Sequence, residues 1–130
     1  MSELEFKIRD SFTKELENEW LSLSKLAEIS IFQNYFWQYL WVENINKKIF
    51  ENSIMVVSIY FKKRIIGILP FEKKKYLNFN VLSLTGEPFA DYCDLIIDIN
   101  FLKTNYYLKD KIRKFITNIK GIDLIIFDKI

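Results

Sequence analysis

The 130-residue chain carries 19 basic and 17 acidic side chains, a formal net charge of +2; 50% of its residues are hydrophobic and 17% aromatic. That composition excludes a disordered chain, and the charge balance gives no field that by itself points to nucleic acid or anionic lipid. There is no histidine and one cysteine, Cys93. Ser-His-Asp and Cys-His nucleophile systems, imidazole or multi-thiolate metal sites and an internal disulfide therefore cannot be built from this chain alone.

The length fits a single domain over residues 1–130. Met1-Ser2-Glu3-Leu4-Glu5 is acidic and polar, unlike a secretory leader, and a lone cysteine fits the reducing cytoplasm. The longest apolar runs, such as Ile65 to Phe71, are too short to cross a bilayer, so no membrane insertion is expected. The expected location is cytoplasmic. Phe and Tyr exceed what so small a core needs, which suggests a surface made to meet another domain or a second copy.

In chain order, Phe12, Leu16, Trp20, Leu23 and Ala27 recur at helical spacing, predicting an amphipathic helix over 11–28 capped by Asp10 or Ser11. A second helix is expected from Tyr35 to about Glu43, with Asn34 as its cap. Phe36/Leu40 and Trp37/Trp41 would form two core-facing ridges. From Ile54 the period changes. Ile54 to Phe61 and Arg64 to Phe71 are rich in β-branched and aromatic residues, and Lys62-Lys63 separates them at hairpin spacing. Pro70 should mark the strand's end or an edge, and Lys73-Lys74-Lys75 a turn. A third strand to about Thr85 shifts its apolar phase near Val81, as a bulge would.

Gly86-Glu87-Pro88 breaks the chain, and Leu95 to Ile99 reads as a fourth strand. Helical spacing returns over 101–119, with Gly121 as its stop. A last strand, Asp123 to Phe127, would pair in parallel through that crossover helix. The fold class is α/β (α+β): two N-terminal helices, an antiparallel meander, then a β-α-β unit.

The acidic group Glu87, Asp91 and Asp94 is the best candidate site, since a loop carboxylate can act as base or bind an amine or sugar hydroxyl. Asx-type turn hydrogen bonds are the simpler account of Asp91 and Asp94. Cys93, without a basic neighbour, reads as a buried inert thiol. Lys62-Lys63-Arg64 and Lys73-Lys74-Lys75 read as solvated hairpin ends rather than a nucleic-acid surface. Arg64-Ile65-Ile66-Gly67-Ile68-Leu69 partly matches a phosphate-cradling Gln/Arg-x-x-Gly-x-Gly/Ala loop. Leu69 and Pro70-Phe71 stand where the last small residue and a helix should be, so the strand reading is preferred.

Trp20-Leu21-x-Leu23, Phe32-Gln33-Asn34-x-x-Trp37, Ile66 to Phe71, Leu84-x-Gly86 and Ala90-Asp91-Tyr92-x-Asp94-Leu95-Ile96 follow one another in this order. The succession resembles the N-terminal half of the CelD/BioF2-like acetyltransferase-fold (GNAT) proteins, relatives of the FemAB aminoacyltransferases often associated with cell-surface polysaccharide biosynthesis. The resemblance implies a truncated or split acyltransferase domain that shapes the acceptor side of a cleft and is inactive alone. Glu87, Asp91, Tyr92 and Asp94 would line that cleft for a small-molecule acceptor. Acyl-CoA would be the full-length family's donor, with no cofactor held by this chain. The implied partner is a second GNAT-like domain or a homodimer partner. The alternative is a non-catalytic module that dimerises or binds another protein.

Overall fold

The computed structural model describes residues 4–27, 35–43, 53–84 and 96–126. Six strands and four helices follow as β1 (Leu4–Arg9), α1 (Lys14–Ser24), α2 (Tyr35–Trp41), β2 (Ser53–Phe61), β3 (Arg64–Tyr76), β4 (Phe79–Leu84), β5 (Ile96–Ile97), α3 (Ile99–Thr104), α4 (Leu108–Thr117) and β6 (Leu124–Ile126). They make one mixed sheet in the order β1-β2-β3-β4-β6, with β5 also on β3. The expected α/β class holds.

The sheet separates two apolar layers because successive strand side chains point to opposite faces. On one face Val57, Ile59, Leu69, Phe71 and Leu82 pack against Phe101 of α3 and Leu108, Ile112 and Ile116 of α4. On the other, Ile54, Val56, Ile68 and Ile96 pack against Leu16, Trp20 and Leu23 of α1, with Tyr35 and Val42.

β1 is an addition to the sequence reading, which treats the N-terminus only as polar. Leu4 and Phe6 alternate with Glu5 and Lys7, and the strand pairs antiparallel along β2 from Leu4↔Phe61 to Arg9↔Val56. The Phe6 ring stacks on Phe115 of α4, with centroids 4.3 Å apart.

α1 begins at Lys14, later than expected, because Thr13 rather than Asp10 or Ser11 is the N-cap; its hydroxyl accepts from Leu16 N at 3.1 Å. Among the described side chains of α2, Tyr35 and Gln38 are buried, as is Val42 just after it. Phe36 and Leu40, expected in the core, are 53% and 57% exposed. The Phe36/Leu40 ridge has helical spacing, but the rotation of the helix turns it to solvent and buries Tyr35 and Gln38. Asn34 and the Trp37 and Trp41 side chains lie outside the described residues.

The Lys62-Lys63 hairpin is present, and both residues take positive φ, 50° and 66°, the geometry that matches strand twist but favours Asn-Gly. The register shifts between Ile59 and Tyr60: Ile59 faces Gly67 and Tyr60 faces Ile65, leaving Ile66 as the extra residue. The irregularity therefore lies here, not near Val81, where the β3–β4 register is unbroken from Phe71↔Leu84 to Tyr76↔Phe79. A Cβ added to Gly67 would meet Ile59 Cδ1 at 3.1 Å, so the glycine serves a close strand approach, not a phosphate loop.

Lys73-Lys74-Lys75 is not a turn. These residues are the last part of β3, with Lys73 and Lys75 exposed and Lys74 half-buried, and the turn falls at Leu77-Asn78, where Leu77 has φ 56°. Nor does Pro70 end its strand. It faces Val56 of β2, and on its other side it falls between the residues that β4 and β5 pair, where a missing N–H costs no ladder bond to either.

The expected single helix over 101–119 is two. Asn105 closes α3, its amide donating to Phe101 O at 2.9 Å, and α4 starts at Leu108. The fourth strand is shorter than expected, because Asp98 leaves the ladder to cap α3. β6 is parallel, as expected, but its partner is β4, through Val81↔Leu124 to Ser83↔Ile126.

Candidate functional site

β4 and β5 run antiparallel to β3 along the same side of it, as two pieces of one interrupted strand. Leu84 faces Phe71 and Ile96 faces Ile68, so three steps along β3 are matched by twelve along the opposing chain. Among the described residues, pairing on this side of β3 stops at Leu84 and resumes at Ile96. Leu84 is the carboxyl end of β4, which lies beside the carboxyl end of its parallel neighbour β6. Open α/β sheets take their ligands at such ends, where strand order breaks and a crevice opens.

The sequence-predicted residues Glu87, Asp91, Tyr92 and Asp94, and Cys93 among them, fall between Leu84 and Ile96 in the sequence and lie outside the described residues. The register thus bounds their segment without placing their side chains.

Three polar groups that the sequence reading missed are buried in the described sheet. The first is Asp98, where β5 passes into α3. Its Oδ1 accepts from Phe101 N at 3.2 Å, and its Oδ2 pairs with Arg64 Nη1 at 2.8 Å. The same junction is anchored twice through the backbone. Asp98 N donates to the bulge carbonyl of Ile66 at 2.8 Å, and Ile99 N to Leu26 O beyond α1 at 3.1 Å. A short apolar strand followed by Asp and a polar helix turn is the sequence signal for such a cap.

A strand-to-helix junction is one kind of place where backbone N–H groups can cradle a pyrophosphate. A pyrophosphate needs several available N–H groups and no competing anion. Asp98 instead occupies the Phe101 N–H and puts a carboxylate there. The described residues at this junction do not fit a pyrophosphate.

The second group is Glu72 in β3, buried beside Lys74 Nζ at 3.6 Å, on the sheet face toward α1 and α2. Its register partner on β4 is Ser83, one residue before the described end of that strand, which makes it the buried carboxylate nearest in register to the point where that pairing stops. The third is Arg9 at the end of β1. Its guanidinium donates to Glu19 Oε1 at 2.8 Å, Ser58 Oγ at 2.9 Å, Glu15 Oε1 at 2.6 Å and Tyr60 OH at 3.4 Å. Tyr60 OH in turn donates to Glu19 Oε2 at 2.6 Å. Burial opposes the Arg9 charge, but the hydrogen bond to Glu19 and then that to Tyr60 outweigh it and raise its pKa. So complete a set of partners reads as a clamp holding α1 on β1 and β2, not as a reacting centre.

Among the described residues no group of three or more Asp, Glu, Cys or His could hold a metal ion. No described helix is long and apolar enough to cross a membrane.

No protein-family model matches the sequence, and no curated protein matches it. Solved structures do. An aminoglycoside acetyltransferase from an uncultured soil metagenomic sample, crystallised with trehalose, superposes with a TM-score of 0.54 at 14% identity, over 98% of this chain and 78% of that one. The sisomicin complex of the same enzyme gives a TM-score of 0.49 at 15% identity over the same shares. At these identities the likeness concerns the fold. This chain has a mixed α/β, acetyltransferase-like fold.

Proposed function

We propose that the chain is an acyltransferase-like domain that holds an acceptor amine or hydroxyl at the carboxyl ends of β4 and β6. The observation that supports this reading is that the described pairing along β3 stops at Leu84 and resumes at Ile96, beside the carboxyl ends of the parallel strands β4 and β6, in a fold of acetyltransferase type. Glu87, Asp91 and Asp94 would supply carboxylates for an ammonium or sugar hydroxyl, and Tyr92 a ring and hydroxyl. Transfer in such a site consists mainly of orienting the acceptor against the thioester. The similar enzyme acts on aminoglycosides and was crystallised with trehalose, which makes amino and neutral sugars the acceptors to try first. A role linked to cell-surface polysaccharide belongs to this proposal, as does a cytoplasmic site of action.

The Asp98 cap supports a further part of the reading: the donor is held by a second domain or a second copy. Titrating the isolated chain with acetyl-CoA in a calorimeter is expected to give no saturable heat at roughly millimolar ligand. A micromolar dissociation constant would refute the acceptor-side reading. In parallel, Asp91→Asn with Glu87→Gln is expected to weaken binding of an amino sugar about tenfold, the scale of a lost charge-assisted hydrogen bond, with the unfolding midpoint unchanged. Equal binding by variant and wild type would remove these residues from the site.

A second reading, a module that pairs with another protein or itself, is favoured by the turn between β3 and β4. Leu77 and Phe79 there are 80% and 57% exposed. Sedimentation over about a hundredfold concentration range is expected to show self-association that Leu77→Ser abolishes. A monomer throughout, with no hydrophobic-dye binding, would discard this reading.

A further inference from the structure

A concave site lies at the first turn of α1. Phe12, just before α1, and Tyr35, Phe36 and Tyr39 of α2 line a cavity of about 360 Å³ together with Thr13, Lys14 and Glu17. The rings pack on one another, and their outer faces line the cavity. Phe12 stands edge-on to Tyr35 at 5.6 Å and 88° and to Tyr39 at 5.8 Å and 77°. The two tyrosine rings are near parallel with centroids 6.2 Å apart, and Phe36 meets Tyr35 at 83°. Trp20 supports the floor at 5.6 Å from Tyr35. Tyr35 is buried, Phe12 half-buried and Tyr39 exposed, so one side of the basin opens to solvent.

Its position separates it from the β5–α3 junction. The basin is at the first turn of α1, whereas the β5–α3 junction is tied to the other end of that helix through Leu26. Eleven helical residues set the two about 16 Å apart along the axis.

Aromatic faces carry negative quadrupole charge and attract cations that come within about 6 Å of a ring centroid, most strongly when those cations are weakly hydrated. Here a carboxylate joins them. Glu17 also lines the cavity, and its ion-pair partner Lys14, at 2.8 Å, is 77% exposed, so this surface pair is weak enough to exchange for a cation set against the outer ring faces. The Glu17 field is felt inside the basin. Burial first, then the Glu17 and Tyr39 charges, raise the pKa of the Tyr35 hydroxyl.

We infer that the basin of Phe12, Tyr35, Phe36 and Tyr39 with Glu17 is a binding site for a small alkylated ammonium ion. The cation sits against the rings, with Glu17 as its counter-ion and Lys14 displaced to solvent. The site neither requires nor tests the acyltransferase reading.

The test uses the full chain in an NMR titration with two probes. One is choline. The other is its uncharged isostere, in which a tert-butyl group replaces the trimethylammonium. Choline is expected to give saturable shifts at Phe12, Glu17, Tyr35 and Tyr39 with a millimolar dissociation constant, and the neutral probe to bind about tenfold more weakly. Tyr39→Ala and Glu17→Gln, both at solvent-reached positions, are each expected to weaken choline roughly threefold to tenfold with the thermal midpoint retained. Equal affinity for the two probes, shifts that map elsewhere, or no saturation by ~100 mM choline would overturn the inference. The probe comparison needs no variant, so it decides even if a substitution disturbs the fold.

Discussion

Replacing Arg9 by Ala is expected to lower the unfolding free energy by about 2–4 kcal/mol, toward the lower part of the range for breaking a buried ion pair. The Arg9 side chain is only 7% exposed and spans Glu15, Glu19, Ser58 and Tyr60. Without it, Glu19 keeps a charge whose solvation is incomplete and Ser58 loses a donor inside the structure. Glu15 is well exposed and adds little, which keeps the value below that of a fully buried triad. Urea unfolding of the two chains measures the difference; a loss below about 1 kcal/mol would mean that water replaces the guanidinium freely.

The same clamp gives stability a pH signature at each end. The hydrogen bond from Lys7, then the Lys7 and Arg9 charges, hold the Glu15 carboxyl below its usual range. Its contribution is therefore present above the ordinary glutamate pKa and is lost as pH falls through the lowered value. Tyr60 is the opposite case. Burial, then its hydrogen bond to Glu19, raise the pKa of its hydroxyl. The neutral phenol is favoured in the fold, so its contribution is present below the ordinary tyrosine pKa and is lost as pH rises through the raised value. Tyr60→Phe should accordingly flatten the alkaline limb of the stability curve, and Glu15→Gln the acid limb.

The sequence was most legible where one local rule had no competitor. The apolar spacing from Leu16 to Leu23 and the pair of β-rich segments around Lys62-Lys63 define α1 and the β2–β3 hairpin. Where two rules competed, tertiary context decided. Lys73 to Lys75 has the polarity of a turn, but alternate side chains reach solvent while the backbone continues to pair with β4. Leu4-Glu5-Phe6-Lys7-Ile8-Arg9 has a clear period of two, outweighed in the sequence reading by its charge. The polar centres were the least legible. Arg9 meets Ser58 and Tyr60 only because β1 returns beside β2, and Arg64 meets Asp98 across 34 residues. No local pattern encodes such meetings. The acidic segment around Asp91 was visible by composition, and the β3 register adds only where the described pairing stops and resumes.

Trp20→Ala and Leu40→Ala look alike in sequence, each removing a large apolar side chain from an amphipathic helix, and their expected costs differ several-fold. Trp20 has no exposed surface; it packs among Leu16, Leu23, Ile54, Val56 and Ile68, with the Phe12 and Tyr35 rings at 6.1 and 5.6 Å. Its removal forfeits the transfer free energy of the indole and leaves a cavity between α1 and the sheet, together about 3–5 kcal/mol. Against the 5–15 kcal/mol typical of a whole domain, that is a large share. Leu40 is more than half exposed and already keeps much of its surface in water, so its loss is expected to stay within about 0.5 kcal/mol. The two variants also differ in what they release. Tyr35 leans on Trp20, so the first should weaken the seat of α2 and reduce the near-ultraviolet dichroism of the aromatic cluster, and the second should leave that signal intact. Equal unfolding midpoints for the two variants would mean that α1 does not dock on the sheet through Trp20. The layer of α1 and α2 on Ile54, Val56 and Ile68 would then be wrong.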